Sequence, residues 1–120
     1  KKANEIVEQF FLSDIKKSLA AEISYGQQKL LSLACSVANG ATLLLLDEAV
    51  AGIQPEYRNK IAKLIKQLKE QGKTILLIEH NTDFIADVAD NIFFLHEGEI
   101  STFENMETLR KDKQVMEAYI

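Results

Sequence analysis

The chain of 120 residues has a single cysteine, no hydrophobic run of membrane-spanning length and no excess of basic residues. The one cysteine, Cys35, excludes an internal disulfide, and because it lies in an apolar helical pattern we expect it in the core. No apolar stretch approaches the roughly 20 residues that cross a bilayer, and no signal peptide is visible, so we expect a cytosolic location. The net charge of −4 argues against a dedicated nucleic-acid surface, which normally carries a basic stripe.

What is present is the composition of one globular domain. Hydrophobic residues make up 47% of the chain, which is enough for a core, and the length fits a single domain. Because the first residue is Lys1 rather than methionine, we expect the chain to be a processed or excised piece of a longer protein.

The central stretch of the sequence is residues 43–48, four leucines followed by Asp47 and Glu48. The leucines predict a short strand that is buried on both faces, because the run is too short for a helix. The two carboxylates then follow at the carboxyl edge of the predicted sheet, where open α/β sheets bind ligands. On an extended chain they point to opposite faces, so one can hold a metal while the other faces a second reactant. A polar strand end that enters a loop is the alternative, and the acid pair alone favours that alternative.

Residues 24–27 predict the start of a helix. Ser24 is followed three residues later by Gln27 and then by an apolar run, which is a capping-box pattern. The helix is predicted from about residue 27 to residue 38, with four buried side chains: Leu30, Leu31, Ala34 and Val37. Two interpretations stay open: a well-capped helix and nothing more, or an anion site. The anion site would combine the Ser24 hydroxyl, the Gly26 N–H group and the helix N-terminus.

The remaining sequence alternates helical and strand patterns. An apolar stripe at helical spacing in the first 20 residues predicts packing against another surface. It comprises Ile6, Phe10, Phe11, Ile15 and Leu19. Pro55 opens a helix that runs to about residue 71, and a buried strand follows at 74–78, so the order predicts a parallel βαβ unit. The other predicted elements are a helix at 83–89, a hairpin around Gly98, and helices at 106–111 and 114–119.

His80 follows the second predicted strand and is another candidate site residue. A lone histidine at such a position is more often a loop residue or a hydrogen-bonding group at a helix start. Because parallel strands end at the same edge, however, His80 and the Asp47–Glu48 pair can face one ligand. The second histidine, His96, is predicted at the hairpin turn, exposed and inert.

Four motifs in this order resemble those of ATP-binding-cassette (ABC) ATPases. Residues 23–29 resemble the signature motif, and residues 43–48 resemble the Walker B strand with its catalytic glutamate. Residues 51–55 are similar to the D-loop, and residues 79–80 to the switch-histidine loop. Tyrosine in the signature, the D-loop residues and the ending at 115–120 look most like the branched-chain amino acid importer subgroup.

The resemblance implies an α/β fold: a partial P-loop NTPase core with a mostly parallel sheet, flanking helices and a C-terminal β-hairpin. No G-x-x-x-x-G-K-[ST] phosphate loop occurs in the sequence. The chain therefore resembles the C-terminal half of one ABC ATPase domain. Residues 1–38 would be the end of the helical subdomain with the signature helix, and residues 41–120 the core sheet and C-terminal helices. We expect this piece alone to be inactive and, with an open sheet edge, to self-associate or to pack residues 1–22 in a non-native way.

The resemblance also implies the cofactors ATP and Mg²⁺ and a role for each motif residue. Asp47 would bind Mg²⁺ through water, Glu48 would orient and deprotonate the attacking water, and His80 would hydrogen-bond the γ-phosphate. The signature residues would contact ATP on the opposite subunit: Ser24, Tyr25, Gly26 and Gln27. The D-loop residues would lie at the dimer seam: Ala51, Gly52 and Gln54.

The function implied is that of an ATP-binding and hydrolysing subunit of an ABC importer, for branched-chain or other amino acids. Its partners would be a second ABC ATPase subunit and membrane permease subunits, without nucleic acid, on the cytoplasmic face of the cell membrane. The alternatives are an ABC-type ATPase of DNA maintenance or translation, a phosphoacceptor receiver domain and a non-catalytic interaction domain. A chromosome-maintenance ATPase would show a long coiled coil and a more basic surface, and a receiver would carry its acid pair after the first strand. Because Asp47, Glu48 and His80 are all present, a non-catalytic interaction domain is disfavoured.

Overall fold

The computed structural model describes residues 1–119, and Ile120, the last residue of the predicted importer-like ending, lies outside the described residues. The chain divides into two compact units, Lys1–Asn81 and Thr82–Ile120. Within residues 1–119, no helix combines the length and the apolar character that crossing a membrane requires.

The first unit begins with helix α1 (Lys2–Gln9), followed by two short 3₁₀ turns at Ser13–Ile15 and Ala20–Glu22. The predicted apolar stripe is only partly buried. Phe10 is fully buried, but Phe11 is 38% and Leu19 is 68% exposed. The cause is a break in the helix, because Phe11 has a φ of 58° and the chain leaves helical geometry there.

Helix α2 (Tyr25–Ala38) begins with the predicted capping box. The Gln27 N–H group donates to Ser24 Oγ at 3.2 Å, and the Ser24 N–H group donates to Gln27 Oε1 at 2.9 Å. The helix begins two residues earlier than predicted, because Ser24 is the N-cap itself and Tyr25 is the first helical residue.

The buried side of α2 differs in part from the prediction. The buried residues are Gly26, Leu30, Leu33 and Ala34. Leu31 is 37% exposed, and Cys35 is exposed rather than in the core. At about 100° per residue, positions 31 and 35 lie on the side of the helix opposite to this stripe, which explains both errors.

A parallel βαβ unit completes the first unit, as predicted. Strand β1 (Leu43–Asp47), helix α3 (Pro55–Glu70) and strand β2 (Thr74–Ile78) follow in order, and β1 pairs with β2 in parallel. Helix α3 has Pro55 in its first turn and buries one side. The buried residues of α3 are Ile61, Ala62, Leu64, Ile65 and Leu68.

The prediction that β1 is buried on both faces is wrong, and β2, predicted as a buried strand, is also exposed on one face. Side chains alternate along a strand, and here only one face is covered in the described part of the chain. Leu44 on that face is 3% exposed. The exposed face carries Leu43, Leu45, Leu76 and Ile78, which are 52–68% exposed.

The second unit contains helix α4 (Thr82–Val88), the antiparallel hairpin of β3 (Ile92–His96) and β4 (Glu99–Phe103), and helices α5 (Met106–Lys111) and α6 (Lys113–Tyr119). The hairpin turn consists of Glu97 and Gly98, both with positive φ, as a tight two-residue turn requires.

The predicted cap of α5 is confirmed, since the Thr108 N–H group donates to Asn105 Oδ1 at 2.8 Å. His96 is exposed at the turn, as predicted. The core of this unit comprises Ile92, Phe103, Met106, Leu109 and Val115.

Candidate functional site

The structure brings Glu48 and His80 together at the carboxyl end of the parallel strand pair. His80 Nε2 lies 3.1 Å from Glu48 Oε1. The two side chains are 82% and 49% exposed, respectively, so both groups are accessible to a ligand in solution. The proximity follows from the register, because Asp47 lies opposite Ile78, β1 ends one residue before Glu48 and β2 ends two residues before His80.

The backbone of Glu48 departs from the extended conformation that we assumed for the acid pair. Glu48 has a φ of 52°, in the left-handed region, so the assumption that the chain is extended at Glu48 is wrong. The Glu48 N–H group donates to the Ile78 carbonyl at 2.8 Å, and the Glu48 carbonyl accepts from the Ala51 N–H group at 3.2 Å. These two bonds hold a sharp turn that aims the Glu48 carboxylate at His80.

Glu79 is a structural part of this site that sequence reasoning missed. Its Oε1 accepts a hydrogen bond of 2.9 Å from the Val50 N–H group, and this contact is partly buried. The bond ties the loop after Glu48 to the end of β2, 29 residues further along the chain. The sequence feature that could have indicated this role of Glu79 is its position between an apolar strand and His80.

Asp47 ends β1 as an exposed carboxylate. It lines a shallow cleft together with Lys29, Ser32 and Ala49. Among residues 1–119, no three His, Cys, Asp or Glu side chains are placed to share a metal ion. Mg²⁺ commonly binds through one or two carboxylates, several waters and substrate phosphates, so a single exposed carboxylate fits that mode of binding.

The start of α2 is both capped and tightly packed. Ser24 Oγ accepts the Gln27 N–H group, which leaves the Ser24 hydroxyl hydrogen as a donor. Tyr25 is 53% exposed, whereas Gly26 is buried. A Cβ added at Gly26 would lie 2.5 Å from Tyr57 Cγ, so packing within the chain already requires glycine at this position.

The residues predicted for the D-loop, Ala51, Gly52 and Gln54, are exposed in the turn and loop between β1 and α3. Gly52 has a φ of 70°, which favours glycine. A Cβ added there would lie 3.9 Å from Tyr25 Cε1, so this loop lies beside the start of α2. The structure therefore places the residues predicted for the signature motif beside those predicted for the D-loop, at Tyr25 and Gly52.

In sequence and in structure, the chain is similar to ATP-binding proteins of transport systems. The family described as ABC transporter matches residues 1–51. The lipopolysaccharide export system ATP-binding protein LptB of Haemophilus influenzae is 30% identical over 99% of this chain and 49% of its own length. The probable branched-chain amino acid transport ATP-binding protein LivG of Archaeoglobus fulgidus is 30% identical over 99% of this chain and 46% of its own length. The solved structure of MJ1267, an ATP-binding cassette of an ABC transporter, matches with a TM-score of 0.89 at 30% identity, over 99% of this chain and 49% of that one.

The chain spans about half the length of these relatives, and their names include both export and import systems. The likeness to solved cassettes extends over nearly all of this chain and confirms the predicted α/β fold. This chain is therefore similar in sequence to ATP-binding proteins of ABC transporters and has the fold of the part of the cassette that it matches.

Proposed function

We propose that this chain is part of the ATP-binding and ATP-hydrolysing subunit of an ABC transporter. The observation that carries the proposal is the 3.1 Å contact between Glu48 Oε1 and His80 Nε2 at the carboxyl end of two parallel strands. Phosphoryl transfer to water needs a group that orients and deprotonates the water and a second group near the γ-phosphate. An accessible carboxylate and an imidazole held side by side supply both.

Each residue at this edge then has a distinct task. Glu48 orients the attacking water and accepts its proton, while His80 donates a hydrogen bond to the γ-phosphate and helps to fix the line of attack. Asp47 offers one carboxylate, directly or through water, to Mg²⁺, which neutralises phosphate charge when bound. Glu79 holds the loop behind Glu48 in place through the Val50 N–H group.

We further propose that the start of α2 and the loop after β1 face a second ABC ATPase subunit. In this arrangement Ser24, Tyr25, Gly26 and Gln27 contact ATP that is held by the partner, and Ala51, Gly52 and Gln54 lie at the seam. The closeness of Tyr25 to Gly52 supports the proposal, because it places the two segments side by side. Residues 1–38 would then belong to the helical subdomain and residues 41–120 to the core.

The transported substrate is proposed to be an amino acid that enters through a membrane permease, with this subunit on the cytoplasmic side. The support is the name of one relative, the probable branched-chain amino acid transport protein LivG. The export name of the H. influenzae relative points to the other direction of transport. A transport assay with the full-length protein and its permease reconstituted in vesicles distinguishes the two, since uptake of labelled branched-chain amino acids is expected only for the importer.

The proposed catalytic role is tested by Glu48→Gln in the full-length protein. The amide keeps the shape of the side chain but accepts no proton, so kcat for ATP hydrolysis should fall about 100-fold or more while ATP binding persists. The matched control is Glu70→Gln, which changes an exposed glutamate at the end of α3. Hydrolysis by Glu48→Gln at the unsubstituted rate would refute the assignment.

A further inference from the structure

Two tyrosine–glycine contacts connect the start of α2 with the segment that follows β1. Gly26 in the first turn of α2 is buried, and its position faces the ring of Tyr57 in the first turn of α3. In the reverse direction, a Cβ added at Gly52 would lie 3.9 Å from Tyr25 Cε1, at van der Waals distance. Each segment therefore contributes one ring and one glycine.

The contact between Gly26 and Tyr57 leaves no room for a methyl group. A Cβ at position 26 would lie 2.5 Å from Tyr57 Cγ, 2.6 Å from Cδ2 and 3.0 Å from Cδ1. These atoms belong to the base of the ring, so a swing of the ring tip does not relieve the overlap. Either the χ1 torsion of Tyr57 changes or one helix shifts.

Two lysines lie over the same rings. Lys60 Nζ is 5.0 Å from the centroid of the Tyr57 ring, and Lys29 Nζ is 5.4 Å from the centroid of the Tyr25 ring. An ammonium group at this distance is attracted by the ring face. Each ring therefore has both a cation and a glycine close to it.

We propose that Tyr57 is a positioning residue that sets the distance between the start of α2 and the loop at residues 49–54. This inference rests on the proposed function, in which those two segments together face the second subunit. In this proposal Tyr57 has no part in the reaction itself and acts by keeping the start of α2 and the loop at residues 49–54 in register. It also makes glycine obligatory at position 26 by packing within the chain.

A double-mutant cycle in the full-length protein tests the packing. Gly26→Ala should lower the melting temperature by about 2–12 °C, since overpacking is destabilising. In a Tyr57→Ala background the same change should have no effect or raise the melting temperature, because alanine has the higher helix propensity. The matched control is Gly40→Ala, at a residue with a φ of 77°, where no atom of the described residues other than Gly40 and its two neighbours lies within 4 Å of an added Cβ. Its penalty should be equal in both backgrounds. An equal penalty for Gly26→Ala in both backgrounds would overturn the packing claim.

ATPase kinetics test the positioning role without any change at Gly26. Tyr57→Phe keeps the ring and should retain kcat, whereas Tyr57→Leu should lower kcat roughly 10- to 100-fold with ATP affinity within about twofold, as expected for misplacement of a surface. Assays run well below the melting temperature of each variant separate this effect from unfolding. Unchanged kcat in Tyr57→Leu would overturn the positioning claim. Absence of ATPase activity in the unsubstituted protein would instead refute the proposed function, and the melting-temperature cycle would still decide the packing claim.

Discussion

At the scale of single residues, the candidate catalytic carboxylate occupies an unfavourable backbone conformation. A non-glycine residue with a φ near 52° costs about 1–2 kcal/mol relative to the usual regions. The conformation persists because the Glu48 N–H group and carbonyl are bonded to Ile78 and Ala51. The strain accompanies a functional geometry, since the turn is what places the Glu48 carboxylate beside His80.

This strain predicts a difference in stability between two substitutions of Glu48 that both abolish activity. Glu48→Gly should unfold with a free energy about 1 kcal/mol higher than Glu48→Ala, because glycine adopts positive φ without steric cost. Both variants lack the carboxylate, so neither should hydrolyse ATP in the full-length protein. Urea unfolding of the two variants measures the difference. Equal stability, or a less stable glycine variant, would mean that the turn at Glu48 stores no strain.

At the scale of elements, the loop after β1 is held by a side chain from the end of β2. The Val50 N–H group is partly buried, and Glu79 Oε1 is its acceptor. Glu79→Leu should lower the free energy of unfolding by about 1–3 kcal/mol, because it leaves that donor without an acceptor. Glu79→Gln is the matched control, since its amide oxygen can still accept the bond.

Glu79→Leu should also affect activity, because Val50 lies only two residues after Glu48. With a loosened loop, Glu79→Leu should lose ATPase activity in the full-length protein, while Glu79→Gln should retain most of it. Amide hydrogen exchange at Val50 should accelerate in the leucine variant alone. Slow exchange at Val50 in Glu79→Leu would show that another group holds this loop.

Local signals in the sequence predicted the elements, whereas contacts between distant residues had to come from the structure. The capping box at Ser24, the cap at Asn105 and the Gly98 turn each depend on a few neighbouring residues, so their patterns were sufficient. Burial of the strand leucines depends on what packs above the sheet, which the sequence of a strand does not encode. The Glu79–Val50 bond and the Gly26–Tyr57 contact join residues about 30 positions apart, and no periodic pattern reports such pairs.

At the scale of the whole molecule, the first unit has an apolar sheet face that is exposed. Leu45 of β1 lies directly opposite Leu76 of β2 in the parallel register, and they are 68% and 52% exposed. Large contiguous apolar patches of this kind mark association surfaces in soluble proteins. A two-stranded sheet also leaves backbone groups at its edges that pair with other chains.

The polypeptide of residues 1–120 alone is therefore expected to self-associate and to bind ATP negligibly, since its sequence contains no phosphate loop. Leu45→Lys should reduce the association seen in sedimentation velocity, because it places a charge in the middle of the apolar face. Its effect on the free energy of unfolding should stay within about 0.5 kcal/mol, as Leu45 is largely exposed. Leu45→Met, which keeps the face apolar, should associate like the unsubstituted chain. If the unsubstituted chain is a monodisperse monomer at micromolar concentration, the exposed leucines do not drive association.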